Sequence, residues 1–325
     1  MNLLRLFKVA TVMLITVFFV IGNLAQAQQD YPSKAITLLI PYPAGSGNDL
    51  VGRIVGNKLS SYLGQRVVSD NRSGASGNIA IEAVHRALED GHTLVVASVS
   101  FSINQFTMKL NYDPKDFTAV ALLGKLPFTL VATKPLPVKN LKEMINFLKQ
   151  KPNQFNAGQS GPTGTSFFLL ESLKKISGID VTSVGYKGST EGIIDILGER
   201  THMMFVPLTT SMPYYRSDRV NLMGVTGSNR TTLLPLVPTF TEQGYPELDI
   251  PTWFGLMGPP GIANNTIRIL NQAIEKTLNS KEVIAALQLQ GIEPTYGSSE
   301  ELKTFIKADS ALWGKLIKDS GIKSF

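Results

Sequence analysis

The stretch at 41–49, PYPAGSGND, constrains this chain more than any other, because an apolar run at 36–40 breaks there into Pro and Gly and restarts with helical spacing. Strand, glycine turn and helix in succession form the unit of an α/β fold. The turn has a chemical implication too. Gly45, Ser46, Gly47, Asn48 and Asp49 stand where backbone N–H groups have no intrahelical acceptor and the positive end of the helix dipole collects, which favours an anion. A second glycine turn at 158–165, GQSGPTGT, opens another helical pattern, and two such turns facing each other would make a cleft lined with donors. A tight turn with no ligand has the same composition, so the pattern alone leaves both readings open.

The same rhythm runs along the chain. Residues 35–40 read as a buried strand, followed by a helix with Leu50, Val51, Ile54, Val55, Leu59 and Tyr62 on one face and Asn48 or Asp49 as its cap. A short strand at 65–69 precedes a third glycine turn, NRSGASGN at 71–78, and a helix bearing Ile79, Ala83, Val84 and Leu88. An apolar strand at 94–97 runs into Ser98, Ser100, Ser102 and Asn104. That gathers hydroxyls and an amide at a strand's C-terminal end, where open α/β sheets bind ligands, although a polar surface loop reads the same way. A strand at 128–133 lies between Pro127 and Pro135, and an amphipathic helix follows at 141–148.

From Asn156 the rhythm restarts with the GQSGPTGT turn and a helix through Phe168, Leu169, Leu173 and Ile176. A strand at 181–185 leads to Tyr186 and Lys187, within reach of a cleft, and to a helix that Ser189 can cap. Strands at 203–206 and 221–226 complete this half. Pro235, Pro238, Pro246 and Pro251 punctuate the return to a strand at 253–257, and helices at 266–278, 281–290 and 299–319 close the chain. The expected architecture is α/β with two lobes, 28–130 plus 254–325 and 131–253, hinged at two crossover strands around an interlobe cleft.

Composition narrows the function. With 43% hydrophobic and 17% charged residues the 325-residue chain is globular, and its charge of +6 is spread without a basic run, which argues against a nucleic-acid partner. Arg5 and Lys8 precede a charge-free run at 9–21, and Ala25, Gln26 and Ala27 supply a small-residue cleavage site. Residues 1–27 therefore read as an export signal cut after Ala27, the run being shorter than the roughly 18 apolar residues of a spanning helix. No cysteine is present, which excludes disulfides, thiolate chemistry and an acylated N-terminal anchor and points to a periplasmic protein that is not lipid-anchored; a monomer is expected.

Catalytic signatures are weak. His85, His92 and His202 are far apart and lack metal-ligand spacing, so no metal is expected. Ser160 lies in GQSGP, without the G-x-S-x-G elbow, and leaves an exported hydrolase as a minor alternative. No G-x-G-x-x-G or P-loop occurs, so no nucleotide cofactor is expected. Binding without chemistry is the reading that remains.

Six stretches in order carry a family resemblance: PYPAGSGNDLVGR, DNRSGASGNIAIEAV, EDGHTLVVAS, YKGS, PLVPTFTEQGYP and WGKLIKDSGI. Through them the mature chain resembles the Bug-type receptors, periplasmic substrate-binding proteins of tripartite tricarboxylate transport systems. The resemblance implies a two-lobe, type II-like binding protein that closes on a small organic carboxylate and delivers it to inner-membrane transporter subunits. A sensor that signals to another partner is the alternative. By position, one carboxylate would rest on Tyr42, Ala44, Gly45, Ser46 and Gly47, and the distal group on Ser160, Gly161, Thr163, Gly164 and Thr165. Ala75, Ser98, Ser102, Asn104, Tyr186, Lys187 and Ser189 would line the cleft. The chain departs from the family pattern at Ser46, Phe168, His202 and Val206. The family often has a second glycine where Ser46 stands, a histidine where Phe168 stands, and aspartates where His202 and Val206 stand; the loss of those aspartates argues against an ammonium-bearing ligand, and the added aromatic surface favours an apolar or ring-bearing one.

Overall fold

The computed structural model describes residues 31–160, 164–250 and 252–320, so the signal segment at 1–27, Gly161 and Thr163 lie outside the described residues. The chain begins with β1 (Ile36–Ile40), α1 (Gly47–Leu63), β2 (Val67–Asn71), α2 (Asn78–His85), β3 (Thr93–Ser98), α3 (Ser100–Thr107) and β4 (Thr118–Lys125). It crosses at Leu126 and Pro127 into β5 (Phe128–Thr133), α4 (Leu141–Lys149), β6 (Asn156–Ser160), α5 (Thr165–Ser177), β7 (Thr182–Tyr186), α6 (Ser189–Leu197), β8 (Met203–Pro207), α7 (Leu208–Arg216) and β9 (Val220–Val225). A long segment then returns it to β10 (Trp253–Gly258), α8 (Asn264–Leu278), α9 (Lys281–Leu289), β11 (Glu293–Gly297) and α10 (Ser299–Ser320).

Two mixed sheets result, in the orders β11-β4-β10-β3-β1-β2 and β7-β6-β8-β5-β9. β2-β1-β3-β10-β4 and β7-β6-β8-β5-β9 correspond strand for strand. In each, one strand has parallel neighbours on both sides (β1, β6) and the strand arriving from the other lobe inserts antiparallel (β10, β5). β1 and β6 thus sit where the strand order reverses, and the turns leaving their C-terminal ends are the two glycine turns.

The crossings differ from the expectation at both boundaries, by one residue at the second, where Trp253 already belongs to β10 of the first sheet. β5 belongs entirely to the second sheet, so the first crossing falls at Leu126 and Pro127 instead of within the strand at 130/131. The two crossings are tied together, Leu126 N–H donating to Thr252 O at 2.8 Å and Phe128 N–H to Thr226 Oγ1 at 2.9 Å.

Each sheet is cored on both faces. Val51, Val55 and Leu59 of α1 pack with Ile36, Leu38 and Ile40, while Phe168, Leu169 and Leu173 of α5 pack with Leu130, Ala157 and Phe205. β4 and β11 escape the sequence reading. β4 is apolar on both faces through 119–123 and shows no alternation, and β11 is a short edge strand containing Pro294.

Candidate functional site

The first glycine turn is held by its own residues. Gly45 takes φ +83°, a conformation costly for other side chains. Its N–H donates to Asp49 Oδ2 at 2.9 Å, and Ser46 N–H donates to Pro43 O at 3.2 Å. Ser46 is the N-cap of α1, its Oγ accepting from Asp49 N–H at 3.3 Å, so the cap falls two or three residues before Asn48 and Asp49. Asn48 instead donates to Val96 O at 2.8 Å, anchoring α1 to β3. The expected run of open donors is thereby narrowed. At the start of α1 the backbone N–H groups of Gly47 and Asn48 have no acceptor among the described residues, as has that of Ala44 before them, and the Ser46 hydroxyl keeps its proton to give.

Asp49, 3% exposed, fixes this geometry. Its Oδ1 accepts from Arg53 Nε at 2.8 Å and Asn71 Nδ2 at 2.9 Å. Burial alone would raise its pKa, but the Gly45 N–H, Asn71 and Arg53 together hold the carboxyl below its ordinary value. Arg53 is occupied there and with Asn71, and Arg72 is paired with Asp70. The donors this turn offers are therefore uncharged.

Beside it the third glycine turn carries four successive positive φ values, Gly74 +132°, Ala75 +46°, Ser76 +52° and Gly77 +89°. Strain at two non-glycine residues persists because the turn is pinned: Ser76 O accepts from Tyr42 Oη at 3.2 Å and from Asn104 Nδ2 at 3.1 Å. Ser98 and Ser100 lie beside the same phenol. Burial pushes the Tyr42 hydroxyl's pKa up, and hydrogen bonds from Ser100 and Ser98 pull the other way. Tyr42, Ala75, Ser98 and Asn104 are thus brought to one wall at the ends of β1 and β3. Ser102 is not on that wall. α3 begins at Ser100, where the sequence admitted a loop, and turns Ser102 inward, fully buried and facing Asp309.

Across the lobes, β6 ends at Ser160 and α5 starts at Thr165, with Gly164 as its N-cap residue. A Cβ on Gly164 would lie 2.7 Å from Ser160 O, so the turn is too tight for another side chain. Both glycine turns meet the start of β10. The Thr165 hydroxyl is 3.3 Å from that of Thr252, and the Phe254 ring lies so close to Gly47 that a Cβ there would be 2.9 Å from it. Thr252 and Phe254 are two residues apart, about 7 Å of extended chain, which brings the N-termini of α1 and α5 to a common support. Thr252, Phe254 and Ser76 were not anticipated as site residues, whereas Ser100 was read among the hydroxyls at the end of β3. The apolar pattern at 253–257 signalled a strand and nothing of its contacts.

Several expectations for the second lobe are corrected. Tyr186 Oη donates to Asp195 Oδ2 at 2.9 Å and contacts Thr201 Oγ1, so its hydroxyl is turned into the lobe. Gly188, not Ser189, is the N-cap residue of α6, and Ser189 is its first residue. Lys187 remains exposed at the end of β7, its backbone N–H donating to Glu191. His202 lies at the far end of the sheet, its Nδ1 accepting from Asn156 N–H at 3.0 Å. Phe168 is 1% exposed against Trp313, and Val206 is fully buried. Of these departures only His202 is far from the glycine turns; Phe168 N–H donates to Gly164 O at 3.3 Å in the first turn of α5, with its side chain, like that of Val206, buried.

Comparison with known proteins places these features among relatives. The sequence profile of a family described as "Tripartite tricarboxylate transporter family receptor" matches residues 51–322. Protein BugT of Bordetella pertussis is 29% identical over 99% of both chains. Among solved structures, an R. palustris protein described as "with adipate" superposes with a TM-score of 0.75 at 31% identity, covering 91% of this chain and 100% of that one. MatC from Rhodopseudomonas palustris "with bound malate" gives a TM-score of 0.70 at 26% identity over 88% of this chain and 100% of its own.

Proposed function

The chain belongs to the tripartite tricarboxylate transporter receptor family, whose members are substrate-binding receptors, and from that footing we propose that it captures a small dicarboxylate between its two glycine turns. One carboxylate rests on the Gly47 and Asn48 N–H groups with the Ser46 hydroxyl, and the distal carboxylate meets the α5 turn from Ser160 to Thr165. Tyr42, Ala44, Gly45, Ala75, Ser98 and Asn104 wall the first-lobe side, and Lys187, exposed at the end of β7, supplies a cation on the second. The observation that carries this is the pair of N–H groups without an acceptor at the start of α1, beside the strand on which the α5 turn also rests.

The energies suffice. Hydrogen bonds to a charged group contribute about 1.5 to 3 kcal/mol each, and a helix N-terminus adds about 0.3 to 1. Three or four such contacts reach the roughly 8 kcal/mol of micromolar binding. A hydrolase on Ser160 is disfavoured, because His202 sits beside Asn156, four residues and about 13 Å of strand away. The receptor acts in the periplasm after cleavage at Ala27, as a monomer that hands its ligand to transporter subunits. Among the described residues no helix is long and apolar enough to cross a membrane.

Isothermal titration with succinate, malate and adipate tests the reading. At least one is expected to bind with a dissociation constant of about 1 to 10 μM without being consumed. Adipamide, of the same length and uncharged, is expected not to bind. Turnover abolished by Ser160→Ala, or equal binding of adipamide and adipate, contradicts it.

A further inference from the structure

α10 runs from one lobe to the other. Its first half buries Leu302 in the first-lobe cluster with Trp253 and Met257, and its second half buries Trp313 and Ile317 among Phe168, Leu169 and Leu173 of the second. Asp309 lies between the halves, 3% exposed. Its carboxylate is divided: Oδ2 accepts from Trp253 Nε1 at 2.8 Å and Oδ1 from Trp313 Nε1 at 3.1 Å. These are the two tryptophans of the whole chain, and both are fully buried. A carboxylate enclosed by neutral rings is costly to keep, which directs attention to what its geometry does.

Each indole stands one step from a glycine turn. Trp253 lies between Thr252, which touches Thr165, and Phe254, which lies against Gly47. Trp313 meets Phe168 edge-on with ring centroids 4.9 Å apart, and Phe168 is three residues past Thr165 on α5. A chain of links therefore runs from α1 through Phe254, its backbone neighbour Trp253, Asp309, Trp313 and Phe168 to α5. α3 braces it from a third side, with Ser102 facing the carboxylate and Gln105 Nε2 donating to Ser310 Oγ at 2.9 Å.

Contiguity alone is not coupling, which requires an element with two arrangements that both sites bias. Two lobes joined at two crossings permit such an element, a hinge. We infer that Asp309 is a positioning residue that sets the separation of the two glycine turns by holding both tryptophans across the hinge, without touching the ligand. Its effect on affinity rests on the receptor reading above, whereas its effect on lobe spacing does not.

The absence of native cysteine allows a clean spin-label pair at Asn57→Cys on α1 and Gln154→Cys in the second lobe. In Asp309→Asn an amide N–H replaces one acceptor, so one indole loses its partner. Pulsed dipolar spectroscopy without ligand is expected to show a broader interlobe distance distribution than the labelled parent, and adipate affinity is expected to fall about tenfold. Trp253→Phe and Trp313→Phe keep a buried aromatic ring and remove one donor each, and each is expected to broaden the distribution in the same direction.

An unchanged distribution in Asp309→Asn, or in both Phe variants if that protein does not fold, overturns the inference. So does a lowered melting temperature with no change in distribution, which would mark a merely structural role. If the parent binds none of succinate, malate and adipate, the receptor reading falls and the distance measurement alone decides.

Discussion

Asp49→Ala is expected to lower the unfolding free energy by about 3 kcal/mol and to remove carboxylate binding with it. The side chain is buried and makes three kinds of contact at once: it takes the Gly45 N–H, it takes Asn71, and it pairs with Arg53. Arg53 is about half exposed, so its share is discounted for solvent screening, and most of the loss comes from the two donors left without an acceptor. Freed of this tie, Gly45 no longer has a partner for its N–H, and the turn that aims Gly47 and Asn48 loses its shape. Ser46→Ala removes only the cap acceptor and should cost about 1 kcal/mol. Urea unfolding of the two variants beside the parent, with titration calorimetry on each, separates a capping effect from loss of the turn. The carboxyl's depressed pKa gives the sign of the pH effect: the contribution is present above the unfolded carboxyl's pKa and is lost as pH falls through the lower folded value.

The second large effect has the opposite sign. Burial raises the Asp309 carboxyl from 3.8 to about 6, against the pull of Ser102, Trp253 and Trp313. A folded pKa above the unfolded one means that the folded state holds the proton more tightly. The contribution is therefore full, at about 3 kcal/mol, only below about pH 3, and is lost progressively as pH rises to about 7, about 2 kcal/mol of it between pH 4 and 6. Asp90, Asp195, Asp319, Glu242 and Glu301 have depressed values and slope the other way, so total stability masks this behaviour. The difference in unfolding free energy between the parent and Asp309→Asn isolates it. That difference should change by about 2 kcal/mol between pH 4 and 6 and by only a few tenths of a kcal/mol from 6 to 8. Tryptophan fluorescence reports the same titration directly, since both indoles donate to this carboxylate.

Local constraints were legible in the sequence and long-range ones were not. The strand, the glycine turn and α1 could be read because Pro, Gly and the helical spacing act locally, and the six ordered motifs carried the family. The positions of helix caps depend on which oxygen reaches which N–H, and Ser46 took a place that Asn48 and Asp49 could have filled on composition alone. α3 was hidden because Ser102 and Asn104 are polar residues buried by tertiary contacts, and polarity in a sequence reads as surface. α7 was hidden by Pro213 within it. Phe168, His202 and Val206 drew attention as departures from a family pattern, yet they differ for reasons of packing in the second lobe. Tyr186 was placed near the cleft by its position at the end of β7, but a single rotamer turned its hydroxyl to Asp195. The convergence of both glycine turns on Thr252 and Phe254 is a long-range contact, and no local pattern encodes it.

A crystal structure of the protein grown with adipate, or with whichever dicarboxylate binds most tightly, tests the central claim most directly. The account predicts one carboxylate accepting from the backbone N–H groups of Gly47 and Asn48, at about 2.7 to 3.1 Å, and the other at the turn that opens α5. A cavity of about 220 Å³ lies at the two crossings, lined by Lys125, Thr226, Asp249, Thr252 and Glu293 among others. A dicarboxylate bound there, with the Gly47 and Asn48 N–H groups left to solvent, would contradict the account.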